Sequence, residues 1–147
     1  MKAHGPIAWI DEPGPQGSWG SPDDLGLPLS DRGLLLAEGL FETVLVEEGQ
    51  PWLLSEHLAR LERSAALLAL PAPPTAALLK PLVGEAIERS GIHRGALRLN
   101  WSRGSSIDPL ARGLSGGPCR PRCWLQLSPG APSFEPATVI VSPSEGP

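Results

Sequence analysis

Two short polar segments carry side chains that could do chemistry. Asp31 and Arg32 stand side by side before Gly33, and His57 lies three residues before Arg60. The first two could form a catalytic pair, and the histidine could act in acid–base catalysis. More often, an Asp-Arg-Gly before a strand is a turn in which the carboxylate accepts backbone amides and the glycine adopts a positive φ. We therefore predict a turn at the first segment, and a hydrogen-bonding role for His57 at the start of a helix.

The two cysteines have a spacing that a redox pair or half of a metal site could use. Cys119 and Cys123 stand in Cys-Arg-Pro-Arg-Cys. A zinc site would need two more ligands at regular spacing, but the histidines are scattered at His4, His57 and His93. We predict two reduced thiols near the start of a strand, and no metal site.

Composition and charge limit the class of protein. The chain has 147 residues, 41% of them hydrophobic, and a formal net charge of −4. These values predict one soluble globular domain and argue against a general nucleic-acid binder, which would present a basic face. No apolar run reaches the roughly 18 residues of a membrane helix. The start of the chain has no apolar segment typical of a signal peptide, so we expect no membrane partner and a cytoplasmic location.

The periodicity of the apolar residues predicts two helices. Leucine and alanine recur at three- and four-residue spacing behind Ser55, which we expect to be an N-cap, and Pro71 should end this helix near Leu70. A second helical pattern opens at Thr75 and contains Pro81. Either its first turn is separate or the helix is kinked at the proline, and the sequence leaves both open.

Short β-type runs lie on both sides of these helices. The predicted strands are residues 7–10, 40–47, 51–54, 96–101, 123–127 and 138–141. The second and third form a hairpin around Glu48-Gly49. On its first strand, one face should carry Phe41, Thr43 and Leu45, and the other Glu42, Val44 and Val46. Because strands and helices do not alternate regularly, the order predicts an α+β fold.

Four motifs occur in one stretch of the chain. They are Ser30-Asp31-Arg32-Gly33, Glu38-Gly39-Leu40-Phe41-Glu42-Thr43, His57-Leu58-Ala59-Arg60-Leu61 and Ser102-Arg103-Gly104. Together they resemble the class IV aminotransferase family, the fold-type IV pyridoxal-phosphate enzymes, over residues 28–104 with weaker support to residue 142. The resemblance implies that residues 1–142 form the small N-terminal domain of that fold, an antiparallel sheet with two helices. Residues 143–147 would then begin a connection to a further, C-terminal domain.

Within the family, the chain is most similar to the 4-amino-4-deoxychorismate lyases, which release 4-aminobenzoate and pyruvate for folate biosynthesis. The similarity lies in segments 27–33 and 96–104 and in Arg112-Gly113. D-amino-acid transaminases of the family carry an Arg-x-His carboxylate trap where this chain has residues 105–108, Ser-Ser-Ile-Asp. The resemblance therefore favours a lyase. A class IV aminotransferase of D-amino-acid or branched-chain type, or a non-catalytic stand-alone assembly domain, stays open.

The resemblance also implies the residues of a site. Arg60 would contact the phosphate of pyridoxal 5′-phosphate, because a guanidinium stays charged and matches phosphate geometry. Read without the motif, it is a surface arginine on an amphipathic helix. Phe41 would belong to the substrate cleft or to the core, and Arg103 and Arg112 would bind substrate carboxylates. A complete protein of this kind is expected to be a homodimer that acts on a small molecule.

A reactive lysine is the element that the chain does not supply at the expected place. Chemistry with this cofactor needs a lysine amine that forms a Schiff base. The chain contains Lys2 and Lys80 as its only lysines, and Lys80 is predicted to face solvent on the second helix. We expect an N-terminal domain or a truncated product that is inactive alone and forms no borohydride-reducible adduct with the cofactor.

Overall fold

A computed structural model of the protein describes residues 5–11, 16–106, 118–130, 132–133 and 135–140. Within them, six strands form one sheet: β1 (Ile7–Ile10), β2 (Ser18–Gly20), β3 (Gly39–Glu47), β4 (Gln50–Pro51), β5 (Gly95–Ser106) and β6 (Cys119–Pro129). The helices are α1 (Arg32–Leu36), α2 (Leu54–Leu67) and α3 (Ala76–Ser90). The strand order is β2-β1-β6-β5-β3-β4, and every pairing is antiparallel. The predicted α+β class is confirmed.

The core lies between one face of this sheet and the two long helices. On β5 and β6, Leu97 pairs with Leu127 and Leu99 with Leu125, and all four side chains are at most 1% exposed. The residues of the helices that close over them are Leu58, Leu61, Ala65, Leu79, Val83 and Ala86. Each fully buried leucine stabilises the fold by roughly 1.5–3 kcal/mol. We call the opposite side, which carries Phe41, the open face of the sheet.

The first long helix begins two residues earlier than predicted. The N-cap of α2 is Leu53, with φ of 52° and no side-chain cap, so Ser55 lies inside the first turn and its assignment as N-cap was wrong. The turn after β4 explains this, since the left-handed backbone at Leu53 directs the chain into the helix at once. The helix ends at Leu67, before the prolines, because Ala69 also turns left-handed with φ of 50°.

The second long helix is a single element. It runs from Thr75, its N-cap, through Pro81 to Ser90, so its first turn is not separate. The proline removes one amide, whose partner would have been the carbonyl of Ala77. Ala77 is exposed, so water can satisfy that carbonyl.

Strand boundaries differ from the prediction where tertiary pairing decides. Strand β4 is only two residues long, and β5 runs to Ser106 across an irregularity between Ser102 and Ser105. Residues 138–140 form no strand, and Ile140 is 93% exposed, because no strand of the described sheet pairs with them. Residue 141 and the predicted connection at 143–147 lie outside the described residues.

Candidate functional site

A buried carboxylate joins β3 to α2. Glu42 shares its face of the strand with Val44 and Val46, and its side chain is 5% exposed. Its Oε1 accepts from Nε of Arg60 at 2.7 Å, and its Oε2 accepts from Nη2 of the same guanidinium. Nδ1 of His57 lies 2.7 Å from Oε2. Because His57 and Arg60 are one helical turn apart, a single carboxylate can hold both.

These contacts set the charge of the cluster. Burial raises the pKa of Glu42, but the hydrogen bonds from Arg60 and His57 outweigh it and bring that pKa below its ordinary value of 4.5. Hydrogen bonding to Glu42 likewise raises the pKa of Arg60. The pair is therefore ionised at neutral pH. His57 forms a hydrogen bond as predicted, and the partner is Glu42 on the sheet, at 2.7 Å. Within its own helix, Nδ1 of His57 lies 3.5 Å from Nη2 of Arg60.

The guanidinium of Arg60 has donors that Glu42 does not use. The Arg60 side chain is 61% exposed. Glu42 accepts from Nε and Nη2, which form one edge of the planar guanidinium. Nη1 and the second N–H of Nη2 form another edge, which Glu42 does not use. A fixed, charged, exposed pair of N–H donors is what a phosphate oxygen pair requires. The donor set thus fits the phosphate end of the cofactor that the resemblance implies.

A second ionic cluster lies at the beginning of β3. Glu38 accepts from Arg32 at Nε and Nη2, both at 2.7 Å, and Nε of Arg103 lies 3.0 Å from the same carboxylate. The hydrogen bond from Arg32 lowers the pKa of Glu38. Arg103 also donates from Nη2 to the carbonyl of Ala69 at 2.8 Å. The guanidinium of Arg103 therefore ties β5 to Glu38 and to the segment that follows α2.

The Asp-Arg-Gly segment is a helix start. Asp31 is the N-cap of α1 and accepts from the amides of Gly33 and Leu34, so the predicted local acceptor role is confirmed. The prediction of a positive φ at Gly33 was wrong. This glycine is helical, and a Cβ there would lie 2.6 Å from Oγ of Ser102. Close approach of α1 to β5, not backbone freedom, explains the glycine.

The open face carries an arginine that the sequence analysis did not select. Phe41 is 56% exposed there, so it is not a core residue. The guanidinium carbon of Arg98 lies 3.6 Å from the centre of the Phe41 ring, and Arg98 donates from Nε to Oδ1 of Asn100 at 3.1 Å. The signal was available, since Arg98 alternates with the buried Leu97 and Leu99. A cavity of about 330 Å³ on the same face is lined by Ile10, Leu25, Leu34, Trp124 and Gln126, among others.

The structure separates the predicted site residues. Arg60 contacts Glu42, on the face of the sheet that the long helices cover, and Arg103 contacts the carbonyl of Ala69 in the segment after α2. Phe41 lies on the open face, and Arg112 lies outside the described residues. Lys80 is exposed on α3, as predicted. None of these placements tests the predicted roles, which stay predictions.

The cysteines form no disulfide. Cys119 is the first residue of β6 and is partly exposed, and Cys123 is 1% exposed. Burial, followed by the charge of Asp11, raises the pKa of Cys123 well above its usual range. Among the described residues, no group of three or more His, Cys, Asp or Glu side chains could hold a metal ion. In that part of the chain no helix is long and apolar enough to cross a membrane.

The chain matches a known protein family and known relatives. The model of the family Amino-transferase class IV matches residues 39–135. The bifunctional aminodeoxychorismate lyase / D-amino acid transaminase of Mycobacterium tuberculosis is 34% identical over 127 residues. The match covers 82% of this chain and 38% of that protein, so the chain spans well under half of the length of this relative.

Solved structures agree on the fold. The 4-amino-4-deoxychorismate lyase of Pseudomonas aeruginosa superposes with a TM-score of 0.60 and 35% identity, over 83% of this chain and 39% of that chain. The PLP-bound form of a hypothetical aminotransferase from Mycobacterium tuberculosis gives a TM-score of 0.65 and 30% identity, over 83% and 40%. The predicted fold, the small domain of a fold-type IV enzyme, is confirmed. The chain belongs to the class IV aminotransferase family.

Proposed function

We propose that this chain functions as part of a pyridoxal-phosphate-dependent 4-amino-4-deoxychorismate lyase. That enzyme converts aminodeoxychorismate to 4-aminobenzoate and pyruvate in folate biosynthesis. The observation that carries the proposal is the 35% identity with a solved lyase over 83% of the chain. The relative of Mycobacterium tuberculosis also bears the lyase name.

Arg60 is the residue of this chain proposed to hold the cofactor. Its exposed guanidinium would bind the phosphate through the end that Glu42 leaves available. When bound, the cofactor supplies a ring that withdraws electrons from the reacting carbon of the substrate. The residues of this chain contribute binding and orientation: Glu42 holds the guanidinium, and His57 contacts Oε2 of the same carboxylate.

Recognition of the substrate is assigned to arginines and one aromatic ring. Aminodeoxychorismate carries carboxylates, and Arg103 and Arg112 are the ligands proposed for them. Arg103 would have to share its guanidinium with Glu38, which lies 3.0 Å from it. Phe41 would form a wall of the substrate cleft on the open face. Arg98, which stacks on that ring, is a further candidate for a substrate carboxylate.

The reactive amine is not proposed to come from Lys80. This residue is exposed to solvent on α3, whereas a Schiff-base lysine is activated by burial or by a neighbouring charge. We propose that the 147-residue chain alone forms no lysine adduct with pyridoxal phosphate. The test is treatment with the cofactor and borohydride followed by intact mass measurement. A stoichiometric adduct on Lys80 would contradict the proposal.

The reaction is tested on the protein encoded by the complete reading frame, sequenced from genomic DNA through and beyond codon 147. Release of 4-aminobenzoate and pyruvate from aminodeoxychorismate is the expected result. Amino-group transfer from a D-amino acid to 2-oxoglutarate, without that release, would favour the second candidate, a D-amino-acid transaminase. The double name of the Mycobacterium tuberculosis relative supports this alternative. A homodimer in the cytoplasm is also proposed, and sedimentation of the native protein measures its oligomeric state.

A further inference from the structure

Glu42 occupies a position where an apolar residue would be expected. It lies on the core-facing side of β3, in line with Val44 and Val46, and is 5% exposed. A buried ion pair seldom stabilises a fold more than well-packed apolar side chains of similar volume, because desolvation offsets the attraction. Stability alone therefore does not account for a carboxylate at this position.

The geometry shows what the carboxylate does to Arg60. Both oxygens are used, Oε1 by Nε at 2.7 Å and Oε2 by Nη2, so the plane of the guanidinium is fixed by two parallel hydrogen bonds. An exposed arginine would otherwise sample many rotamers. With one edge held by Glu42, the remaining N–H pair keeps one direction. The buried carboxylate of Glu42 thus holds the guanidinium of Arg60 in place, and the exposed N–H groups of that guanidinium point to solvent, where a ligand can bind them.

Two effects of Glu42 on anion binding oppose each other. Its negative charge weakens the attraction of Arg60 for a phosphate, whereas fixing the side chain removes the entropy that binding would otherwise cost. Nδ1 of His57 lies 2.7 Å from Oε2 of Glu42, so the negative charge of the carboxylate is stabilised by a second side chain besides Arg60. The exposed end of Arg60 lies in solvent, where Coulomb terms are screened. The orienting effect should therefore dominate.

We propose that Glu42 is a positioning residue that fixes the guanidinium of Arg60 so that its Nη1–Nη2 end is presented to the phosphate of a bound ligand. The proposal rests on the proposed phosphate role of Arg60 and deepens it. It assigns a function to the acidic residue of the Phe-Glu-Thr segment, which the sequence analysis placed only on a strand.

The experiment observes the Nε–H group of Arg60 by nuclear magnetic resonance in the 147-residue chain. A side chain held as the structure shows gives a slowly exchanging Nε–H signal, assigned by its loss in Arg60→Lys. Glu42→Gln should abolish the slow exchange. Titration with inorganic phosphate should shift this signal in the unmodified chain. The dissociation constant for phosphate should rise about fivefold or more in Glu42→Gln, since an unfixed side chain must be ordered on binding.

A matched control lies on the same strand. Glu47 accepts from Nε of Arg94 at 3.0 Å, so Glu47→Gln removes another Glu–Arg pair of this strand, one whose carboxylate is less buried than that of Glu42. It should leave the Arg60 signal and the phosphate affinity unchanged. If Glu42→Gln fails to fold, Glu42→Asp replaces it, because the shorter carboxylate cannot reach both nitrogens and should also weaken phosphate binding.

The outcomes separate the two proposals. Phosphate affinity that is equal or higher in Glu42→Gln, with a normal response of the unmodified chain, would overturn the positioning role and leave the phosphate role of Arg60 intact. No phosphate response of Arg60 in the unmodified chain would overturn the phosphate role, and the positioning role with it. An Nε–H signal that still exchanges slowly in Glu42→Gln would overturn the positioning role directly.

Discussion

Asp31 and Ser102 are 71 positions apart, yet their side chains form one of the shortest hydrogen bonds of the buried polar groups. Oγ of Ser102 donates to Oδ1 of Asp31 at 2.6 Å, and both residues are 0% exposed. The same oxygen of Asp31 accepts from the amides of Gly33 and Leu34. Oγ of Ser102 in turn accepts from the amide of Gly104. Two of the sequence motifs therefore interlock, and their serine and aspartate hold α1 on β5.

Replacement of Asp31 should be strongly destabilising. Asp31→Ala removes the N-cap of α1 and leaves the buried Ser102 hydroxyl without its acceptor, which together cost about 3 kcal/mol. Asp31→Asn keeps Oδ1 as an acceptor and should lose less. Urea-induced unfolding measures both. Asp23→Ala, at an exposed position, is the control, and an equal loss there would contradict the structural role of Asp31.

Two glycines of helices should respond in opposite directions to alanine. In Gly33→Ala the new methyl group would lie 2.6 Å from Oγ of Ser102 and 3.0 Å from Oδ1 of Asp31, so we expect a loss of about 1–3 kcal/mol. In α3, a Cβ at Gly84 meets nothing within 4 Å. Gly84→Ala should stabilise the chain by about 1 kcal/mol through helix propensity. Thermal unfolding of both variants checks the pair, and a stabilised Gly33→Ala would show that α1 can move away from β5.

The sequence was sufficient for the elements whose signals are local. The apolar periodicity behind Ser55 and Thr75 predicted α2 and α3, and alternation predicted which residues of β3 share a face. It failed where a long-range contact decides. Residues 138–140 have good β propensity but no partner in the described sheet, and α1 is held by Ser102, which no local pattern reveals.

The sequence predicted some of the residues of the candidate site, but not which side chains contact one another. Arg60 was selected, but Glu42 was not, because nothing local shows that a carboxylate on a strand meets a helix 18 residues later. Arg103 was assigned to substrate from its motif alone. The structure adds its contacts with Glu38 and Ala69. Ion pairs across elements depend on the packing of the sheet, which single-sequence patterns do not contain.

Acid should destabilise the fold through Glu38 and Glu42. The hydrogen bond from Arg32 lowers the pKa of Glu38, and the hydrogen bonds to Glu42 more than offset burial, so both pKa values lie below the ordinary 4.5. A depressed pKa in the folded state gives stability that is present above about pH 4.5 and lost as the pH falls through the folded-state value. The free energy of unfolding should therefore decrease below that pH.

The double variant Glu38→Gln, Glu42→Gln tests this origin. It should be less stable than the unmodified chain at pH 7, and its stability should depend less on pH below 4.5, the ordinary carboxyl pKa. Glu85→Gln removes an exposed pair with Arg89 and serves as the control. An unchanged slope in the double variant would assign the acid sensitivity to other carboxyls.

The two thiols should differ in reactivity. Alkylation requires a thiolate, and burial raises the pKa of Cys123, which is 1% exposed, whereas Cys119 is partly exposed. Iodoacetamide should add one group to the folded chain and two in urea, as read by intact mass. Cys119→Ser should abolish the reaction of the folded chain. Rapid double modification without denaturant would show that β6 opens locally.

An arginine on the open face is expected to bind a substrate carboxylate in the proposed lyase. Arg98 is exposed, and its guanidinium lies 3.6 Å from the centre of the Phe41 ring and donates to Asn100. Within the described residues, no carboxylate forms an ion pair with it. If it binds a substrate carboxylate, Arg98→Gln should raise the KM for aminodeoxychorismate roughly tenfold to a hundredfold, the range for a charged hydrogen bond. Stability should change little, because the side chain is at the surface. Arg94 lies just before the same strand and pairs with Glu47, so Arg94→Gln should leave KM unchanged. A KM that is equal in the two variants would exclude Arg98 as a substrate ligand and leave Arg103 and Arg112 as the arginines proposed for that role.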